Sequence, residues 1–254
     1  MQRIYGLIGL TLKHSWSKQY FTGKFSGGNI NAVYNLYELQ QIDEIIKLVE
    51  AEKRLCGLNV TIPYKQSVIP FLSAVSPEAA AIGAVNAIAI DRSSDEIRMT
   101  GYNTDAPAFA EELIGFAGKP SGTALILGTG GAAKAVDYVL EKQGWSRQFV
   151  SRKPAGPGTI SYTDLDADIL KKTRLIVNAT PLGMYPAIDT APPLPWELIG
   201  SAHFLFDLVY NPEVTRFMKE GERRGARVIN GLGMLKRQAD LAWEIWHTKN
   251  TLSG

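Results

Sequence analysis

The chain has 254 residues, of which 20% are charged, and a formal net charge of +2 at pH 7. This length suffices for one large or two medium domains, and the near-neutral charge gives no reason to expect a nucleic-acid or membrane partner. The single cysteine, Cys56, excludes a disulfide framework and suits a reducing compartment, so we expect a cytoplasmic protein. The three histidines are far apart and nothing has metal-ligand spacing, so no metal is expected. The first 12 residues are too short and too interrupted by glycine for a signal peptide.

Strand and helix patterns alternate along the first hundred residues. A buried strand is predicted at 4–9, a helix at 16–25 and a second strand at 32–36. Ile42, Ile45, Ile46 and Val49 then recur at intervals of three and four residues, which predicts an amphipathic helix. Further strands are predicted at 57–60, 84–90 and 96–101, the last two on either side of a polar turn.

The alternation continues in the second half with a predicted helix at 105–118 and an apolar strand that ends at Leu127. Strands are predicted at 148–150, 175–179, 203–208 and Arg227–Ile229, and a last helix at 234–247. This alternation indicates parallel sheets covered by helices. We therefore predict an α/β protein of two domains, 1–103 completed by 234–254 and 104–233, with a ligand-binding cleft between them.

A glycine-rich turn follows the strand that ends at Leu127. Gly128, Gly130 and Gly131 are followed by Ala132, and Ala133 stands at the position of a third glycine. Such a turn leaves backbone N–H groups bare at a helix start, where they and the helix dipole attract a phosphate. The pattern predicts a dinucleotide-binding βαβ unit; the alternative is an ordinary strand–turn–helix junction.

The residues after the next strand bear on the choice of dinucleotide. NAD sites place an acidic residue about 20 residues beyond the glycines, whereas an arginine accommodates the 2′-phosphate of NADP. Ser151, Arg152 and Lys153 stand here, with two cations and no acid. The sequence therefore favours NADP over NAD; the alternative is a solvated basic loop.

Polar side chains in the first half stand where turns leave predicted strands. Ser15 and Ser17 could direct two hydroxyls at one ligand group, or either could cap the helix that follows. Asn59 and Thr61 share one face of an extended segment, and Lys65 follows four residues later. The alternative for Lys65 is an ordinary charged side chain on the protein surface.

Two further polar residues complete this set. Asn86 is predicted inside an apolar strand, where a buried amide must be hydrogen-bonded, either structurally or to a ligand. Asp105 begins a predicted helix, where it could serve only as a cap. Hydroxyls, amides, a lysine and a carboxylate together suit a small polyhydroxylated acid beside a hydride donor.

Seven motifs span the chain. They are H-S-x-S at 14–17, G-x-N-V-T-x-P-x-K at 57–65, G-A-V-N at 83–86, G-x-N-T-D at 101–105, the glycine turn at 128–133, N-A-T-P-L-G-M at 178–184 and G-L-G-M-L-x-x-Q at 231–238. By these motifs the chain resembles the shikimate dehydrogenases, NADP-dependent reductases of 3-dehydroshikimate in aromatic amino-acid biosynthesis. Thr11, Lys18, Ala87 and Ser151 depart from the residues usual in that family, and none of these departures removes a catalytic group.

The resemblance implies roles for individual residues. It makes Lys65 and Asp105 the catalytic pair. It also implies that the first domain binds the substrate and that the second is a Rossmann-type NADP-binding domain. Substrate contacts are implied for Ser15, Ser17, Asn59, Thr61, Lys65, Asn86, Asp105, Tyr210 and Gln238. Contacts with the cofactor NADP are implied for Gly128, Gly130, Gly131, Ala132, Ser151, Arg152, Lys153, Thr180, Leu208 and Gly231.

The implied reaction is reversible hydride transfer between NADPH and the C3 carbonyl of 3-dehydroshikimate. Lys65 is expected to donate the proton, while Asp105 orients a substrate hydroxyl and tunes the lysine. The expected partner is this small molecule, and the expected assembly is a monomer or homodimer. One alternative is a quinate/shikimate dehydrogenase that uses NAD, which residues 151–153 disfavour. The other is a non-catalytic nucleotide-binding regulatory module, which would be expected to lack Lys65 or Asp105.

Overall fold

The computed structural model describes residues 1–13, 15–119, 122–154, 156 and 158–251, with the side chains of 249–251 left aside. The chain forms two compact units, Met1–Thr104 with Ala239–Gly254 and Asp105–Gln238. Each contains one six-stranded sheet together with helices, which confirms the predicted α/β class. In the described part of the chain, no helix is long and apolar enough to cross a membrane, and no group of three or more histidine, cysteine and acidic side chains could hold a metal ion.

The first unit contains six strands and three complete helices among the described residues. The strands are β1 (Arg3–Gly9), β2 (Ala32–Glu38), β3 (Leu55–Val60), β4 (Ala74–Val75), β5 (Ala87–Asp91) and β6 (Arg98–Tyr102). The helices are α1 (Trp16–Gly27), α2 (Glu44–Ala51) and α3 (Pro77–Ile82), and a short 3-10 helix spans Ile69–Phe71.

The second unit continues the numbering. Its strands are β7 (Thr123–Leu127), β8 (Ser146–Val150), β9 (Thr159–Ile160), β10 (Thr173–Asn178), β11 (Phe204–Asp207) and β12 (Arg227–Ile229). Its helices are α4 (Asp105–Ala117), α5 (Gly131–Lys142), α6 (Ala167–Lys172) and α7 (Arg216–Glu222). The last helix, α8 (Leu232–Thr251), starts in the second unit and belongs to the first from Ala239 onward.

The first sheet is mixed, which corrects the prediction of parallel sheets throughout. Its strand order is β2-β1-β3-β5-β6-β4, and β5 runs antiparallel to both of its neighbours. The physical reason is the short polar turn between β5 and β6, because a parallel pair needs a crossover of a dozen or more residues. The prediction that Asn86 lies inside a strand is also wrong, since β5 begins at Ala87, yet Asn86 is only 2% exposed.

The second sheet is parallel in all its pairings. Its order is β12-β11-β10-β7-β8-β9, which is the 3-2-1-4-5-6 order of dinucleotide-binding folds counted within this unit. The central strands read as continuous apolar runs because both of their faces are buried. In such sheets ligands bind beyond the carboxyl ends of the strands, where the strand order reverses, here between β7 and β10.

The part of α8 beyond Ala239 completes the core of the first unit. Trp246 is fully buried and stacks on Tyr5 with ring centroids 5.0 Å apart. Its indole Nε1 donates a hydrogen bond to the Ile88 carbonyl at 2.9 Å. Gly57 in β3 leaves the space that the indole occupies, since a Cβ there would overlap the ring.

Candidate active site

The paired serines stand at the start of α1, and both are half-buried. His14, the first residue of their motif, lies outside the described residues. Ser15 occupies the N-cap position, but among the described residues its side chain makes no capping hydrogen bond. Ser17 lies in the first helical turn, near the buried phenol of Tyr34 in β2. Capping therefore accounts for neither hydroxyl.

Hydrogen bonds join the segment 57–65 to the segment 83–86. Val60 N donates to the Asn86 carbonyl at 2.9 Å, and Asn59 Nδ2 donates to the same carbonyl at 3.2 Å. Val85 N donates to the Lys65 carbonyl at 2.7 Å. Lys65 is half-buried, so it is more constrained than an ordinary surface lysine.

Thr61 follows the end of β3 and is half-buried. Its backbone N donates to the Ile8 carbonyl at 3.0 Å, and its carbonyl accepts from Tyr64 N at 2.9 Å. A Cβ on Gly9 would lie 2.6 Å from the Thr61 methyl group, so glycine at that position makes room for the threonine side chain. The Ile62–Pro63 peptide bond that follows is cis.

The side chain of Asn86 holds the residue directly before Asp105. Asn86 Oδ1 accepts from Thr104 N at 2.7 Å, and Asn86 Nδ2 donates to Thr104 Oγ1 at 3.0 Å. Asn103 Nδ2 donates to the Ala84 carbonyl at 2.9 Å. The buried amide of Asn86 thus has a structural role, and three of the motifs form one hydrogen-bonded cluster in the first unit.

Asp105 begins α4 and is only 5% exposed. It is the first residue inside the helix and not its cap, which places a carboxylate in the first turn, where the helix dipole favours negative charge. Asp105, Tyr210 and Gln238 belong to the second unit, whereas the other implied substrate residues belong to the first.

The predicted glycine turn joins β7 to α5. Gly128 has a φ of +104°, which favours glycine, and a Cβ there would come within 3.1 Å of Thr180 Cγ2. Gly130 is the N-cap of α5, and in the described residues nothing lies within 4 Å of its Cβ position. Gly131 and Ala132 form the first turn, which carries no acidic side chain within this described helix. The described first turn of α5 therefore presents backbone N–H groups and carries no acidic side chain of its own.

The basic residues follow β8 and lie next to the glycine turn. Gly128 N donates to the Val150 carbonyl at 2.9 Å, which brings residue 151 to the turn. Ser151 Oγ donates to the Lys153 carbonyl and accepts from Lys153 N, both at 3.3 Å. Arg152 and Lys153 are exposed. Burial raises the pKa of Tyr162 to about 12, and the positive charge of Arg152 opposes this shift.

A buried polar cluster at the carboxyl ends of β10 and β11 was missed by the sequence analysis. Asp207 is fully buried and accepts hydrogen bonds from Asn178 Nδ2 at 2.9 Å, from Val209 N at 3.0 Å and from Thr215 Oγ1. Burial raises the pKa of Asp207 to about 6, while its three donors favour the charged form. The available signal was a carboxylate placed directly after three apolar strand residues.

This cluster holds the loops that carry the remaining implied cofactor residues. Thr180 donates to Asn178 Oδ1 through its N at 3.1 Å and its Oγ1 at 2.6 Å. Leu208 N donates to the Asn178 carbonyl at 3.0 Å. Gly231 N donates to the Val209 carbonyl at 3.2 Å, and a Cβ on Gly231 would overlap the Leu208 backbone.

The other two implied substrate residues flank this loop region in sequence. Tyr210 is half-buried and follows β11 by three residues. Gln238 lies in α8, and its Nε2 donates to the Leu235 carbonyl at 3.0 Å. The structure thus gathers the implied cofactor residues along the loops after β7, β8, β10, β11 and β12 of one parallel sheet.

Three comparisons with known proteins bear on this arrangement. Residues 7–88 match the family model described as the shikimate dehydrogenase substrate binding domain. The shikimate dehydrogenase (NADP(+)) of Clostridium beijerinckii is 38% identical over 259 residues, which covers 95% of this chain and 91% of that protein. The protein of the same name from Carboxydothermus hydrogenoformans is 39% identical over 263 residues, with 96% and 91% covered.

A solved structure is similar over the same extent. It is the shikimate 5-dehydrogenase from Thermus thermophilus in complex with NADP(H) and shikimate, with a TM-score of 0.82 at 32% identity. The similarity covers 96% of this chain and 93% of that one. Because full-length relatives above 30% identity agree with the motifs and with the fold, this chain belongs to the shikimate dehydrogenase family.

Proposed function

We propose that this protein catalyses the reversible NADP-dependent reduction of 3-dehydroshikimate to shikimate, a step of aromatic amino-acid biosynthesis. The observation that carries the proposal is the similarity, over nearly the whole of both chains, to an enzyme whose structure contains NADP(H) and shikimate. The residues that such chemistry needs are present at the matching motif positions of this chain.

The second unit has groups that fit NADP. The N–H groups at the start of α5 suit the pyrophosphate, since Gly128 permits the turn and no acidic side chain lies in the first turn of this described helix. Arg152 and Lys153, both exposed, suit the 2′-phosphate. Bound NADPH supplies the hydride, and the protein binds and orients it. Further contacts are assigned to Gly130, Gly131, Ala132, Ser151, Thr180, Leu208 and Gly231.

The first unit supplies most of the substrate contacts. Ser15 and Ser17 donate hydrogen bonds to the ring carboxylate, because neither hydroxyl is used to cap α1 in the described residues. The other polar groups assigned to the substrate ring and its hydroxyls are Asn59, Thr61, Asn86, Tyr210 and Gln238. Hydrogen bonds to a charged ligand group are the stronger ones, so we assign the carboxylate the main anchoring role.

Lys65 and Asp105 are assigned the chemistry. As the C3 carbonyl is reduced, its oxygen gains negative charge and needs a proton, which Lys65 Nζ donates; in the reverse direction Lys65 accepts it. The positive charge of Lys65 also stabilises the developing alkoxide. Asp105 orients a substrate hydroxyl through its carboxylate, which stands at the start of a helix.

A cytoplasmic location and an assembly no larger than a dimer are proposed with this activity. The location is supported by the single cysteine, Cys56, whose thiol pKa is raised by burial and which suits a reducing compartment. Cell fractionation and sedimentation velocity of the purified protein test the two statements.

The activity is tested by following NADP reduction with shikimate and with quinate in parallel, each with NADP and with NAD. We expect turnover with shikimate and NADP to exceed the other three combinations. Equal turnover with quinate and NAD would contradict the proposal, and so would no turnover with any pair while NADP still binds.

The catalytic pair is tested by Lys65→Met, which keeps the apolar stem and removes the charge, and by Asp105→Asn. Turnover at saturating shikimate and NADP should fall by about 10²–10⁴-fold in each, the usual contribution of general acid–base catalysis. A direct titration should show that NADP binding survives. Lys53→Met removes an exposed lysine of the same unit and serves as control. Near-normal turnover in Lys65→Met would show that Lys65 is only a surface charge and takes no part in the reaction.

A further inference from the structure

The hydroxyl of Tyr34 is hydrogen-bonded to a residue assigned to the substrate. Tyr34 lies in β2, is 2% exposed and belongs to none of the seven motifs. Its Oη donates a hydrogen bond to Asn59 Oδ1 at 2.7 Å. The buried phenol in β2 is thus joined to a polar side chain of β3.

The direction of each hydrogen bond made by Asn59 follows from what its partners can do. The Asn86 carbonyl can only accept, so Asn59 Nδ2 donates to it, and Asn59 Oδ1 is turned toward Tyr34. The phenol of Tyr34 therefore donates its hydrogen bond to Asn59 Oδ1. Burial raises the pKa of Tyr34 well above its ordinary value, so the phenol keeps its proton at neutral pH.

The ring of Tyr34 is held as firmly as its hydroxyl. It stacks on the fully buried Phe21 of α1, with ring centroids 4.5 Å apart and planes at 10°. Stacking of this kind holds the phenol oxygen in place against Asn59. If the hydroxyl is removed, Asn59 Oδ1 loses a donor in a place that water hardly reaches, since Asn59 is 5% exposed.

We propose that Tyr34 is a positioning residue for the substrate, acting through Asn59. Its hydroxyl sets the amide plane of Asn59 before the ligand arrives. Binding then costs less ordering of this side chain. The inference rests on the proposed function, because it assigns Asn59 to shikimate.

The test is Tyr34→Phe, which removes one oxygen and keeps the stacked ring. We expect the KM for shikimate to rise about tenfold, because Asn59 must then be ordered when the ligand binds. The unfolding temperature should fall by a few degrees, because Asn59 Oδ1 loses its buried donor, while the KM for NADP should change little. An unchanged KM for shikimate would overturn the proposal, and so would an equal rise in both KM values.

Tyr37→Phe is the matched control, because it removes a hydroxyl from the same strand. That hydroxyl accepts from Asn35 Nδ2 at 3.3 Å, and Asn35 is not assigned to the substrate. The KM for shikimate should stay within about twofold of wild type, as expected when no ligand contact is disturbed. A rise as large as that of Tyr34→Phe would overturn the assignment to Tyr34.

A double-mutant cycle with Asn59→Ala separates action through the asparagine from a general effect on the strand. The rise in KM caused by Tyr34→Phe should be smaller in the Asn59→Ala background than in wild type, since coupled residues are not additive. An equally large rise would overturn the proposal. Absence of shikimate turnover in the wild-type protein would instead refute the proposed function, so the two failures are distinguishable.

Discussion

At the scale of single residues, we propose that cofactor choice depends on Arg152 and Lys153, the two exposed cations that follow β8. Arg152→Ala should weaken NADP binding by about one to two decades, because a charge-assisted hydrogen bond is worth roughly 1.5–3 kcal/mol. NAD binding should be nearly unchanged, since NAD has no 2′-phosphate. Titration of each variant with both nucleotides measures the effect.

Lys171→Ala provides the control for this experiment, because it removes an exposed cation at the end of α6 in the same unit. Lys171→Ala should lower the affinity for NADP and for NAD only slightly, and by the same amount. If Arg152→Ala weakens NAD as much as NADP, residues 151–153 are a solvated basic loop and not the 2′-phosphate site.

At the scale of elements, the end of α8 packs against the first sheet, and Trp246 is its largest fully buried side chain. Trp246→Ala should lower the free energy of unfolding by about 3–5 kcal/mol, because it empties a fully buried site and leaves the Ile88 carbonyl without its indole donor. Urea unfolding followed by far-UV circular dichroism measures the loss.

Thr248→Ala, two residues further along the same helix, is the matched control. Its hydroxyl is exposed and donates to the Glu244 carbonyl of its own helix, so its removal should change stability by less than about 1 kcal/mol. Equal losses in the two variants would show that the end of α8 contributes through its helix and not through the buried indole.

At the scale of the whole molecule, Asp207 makes stability depend on pH. Its pKa is about 6 in the folded chain and 3.8 ordinarily, so the folded state holds the proton more tightly. This contribution is fully present below pH 3.8 and is lost as the pH rises through 6. Relative to Asp207→Asn, the wild type should become about 3 kcal/mol less stable between about pH 4 and pH 7, from roughly two pKa units at about 1.4 kcal/mol each.

Urea unfolding of both proteins at several pH values across this range measures the difference. Asp189→Asn, at an exposed position of the same unit, is the control and should show a smaller pH-dependent difference from wild type. A difference between wild type and Asp207→Asn that does not vary with pH would show that burial does not hold the proton on Asp207.

Local patterns sufficed for most elements and for the chemistry of the chain. The α/β class, the long helices and the glycine turn were predicted because each depends on residues close together in sequence. The helices α3, α6 and α7 were not predicted individually, because six or seven residues are too few to show a helical period. Bounds also shifted by a few residues, as for α2, which begins at Glu44.

The sequence by itself indicated the family and the reaction class, because its motifs, each made of residues close together in the chain, resemble those of the shikimate dehydrogenases. Only the tertiary structure decided the antiparallel direction of β5, the structural use of Asn86 and the hydrogen-bonded partners of Asp207 and Tyr34. Tyr34 meets Asn59 across 25 residues, and Asn178 meets Asp207 across 29. Such pairs are set by the order of strands in a sheet, which no local pattern encodes, since strand pairing is decided by burial of the whole sheet.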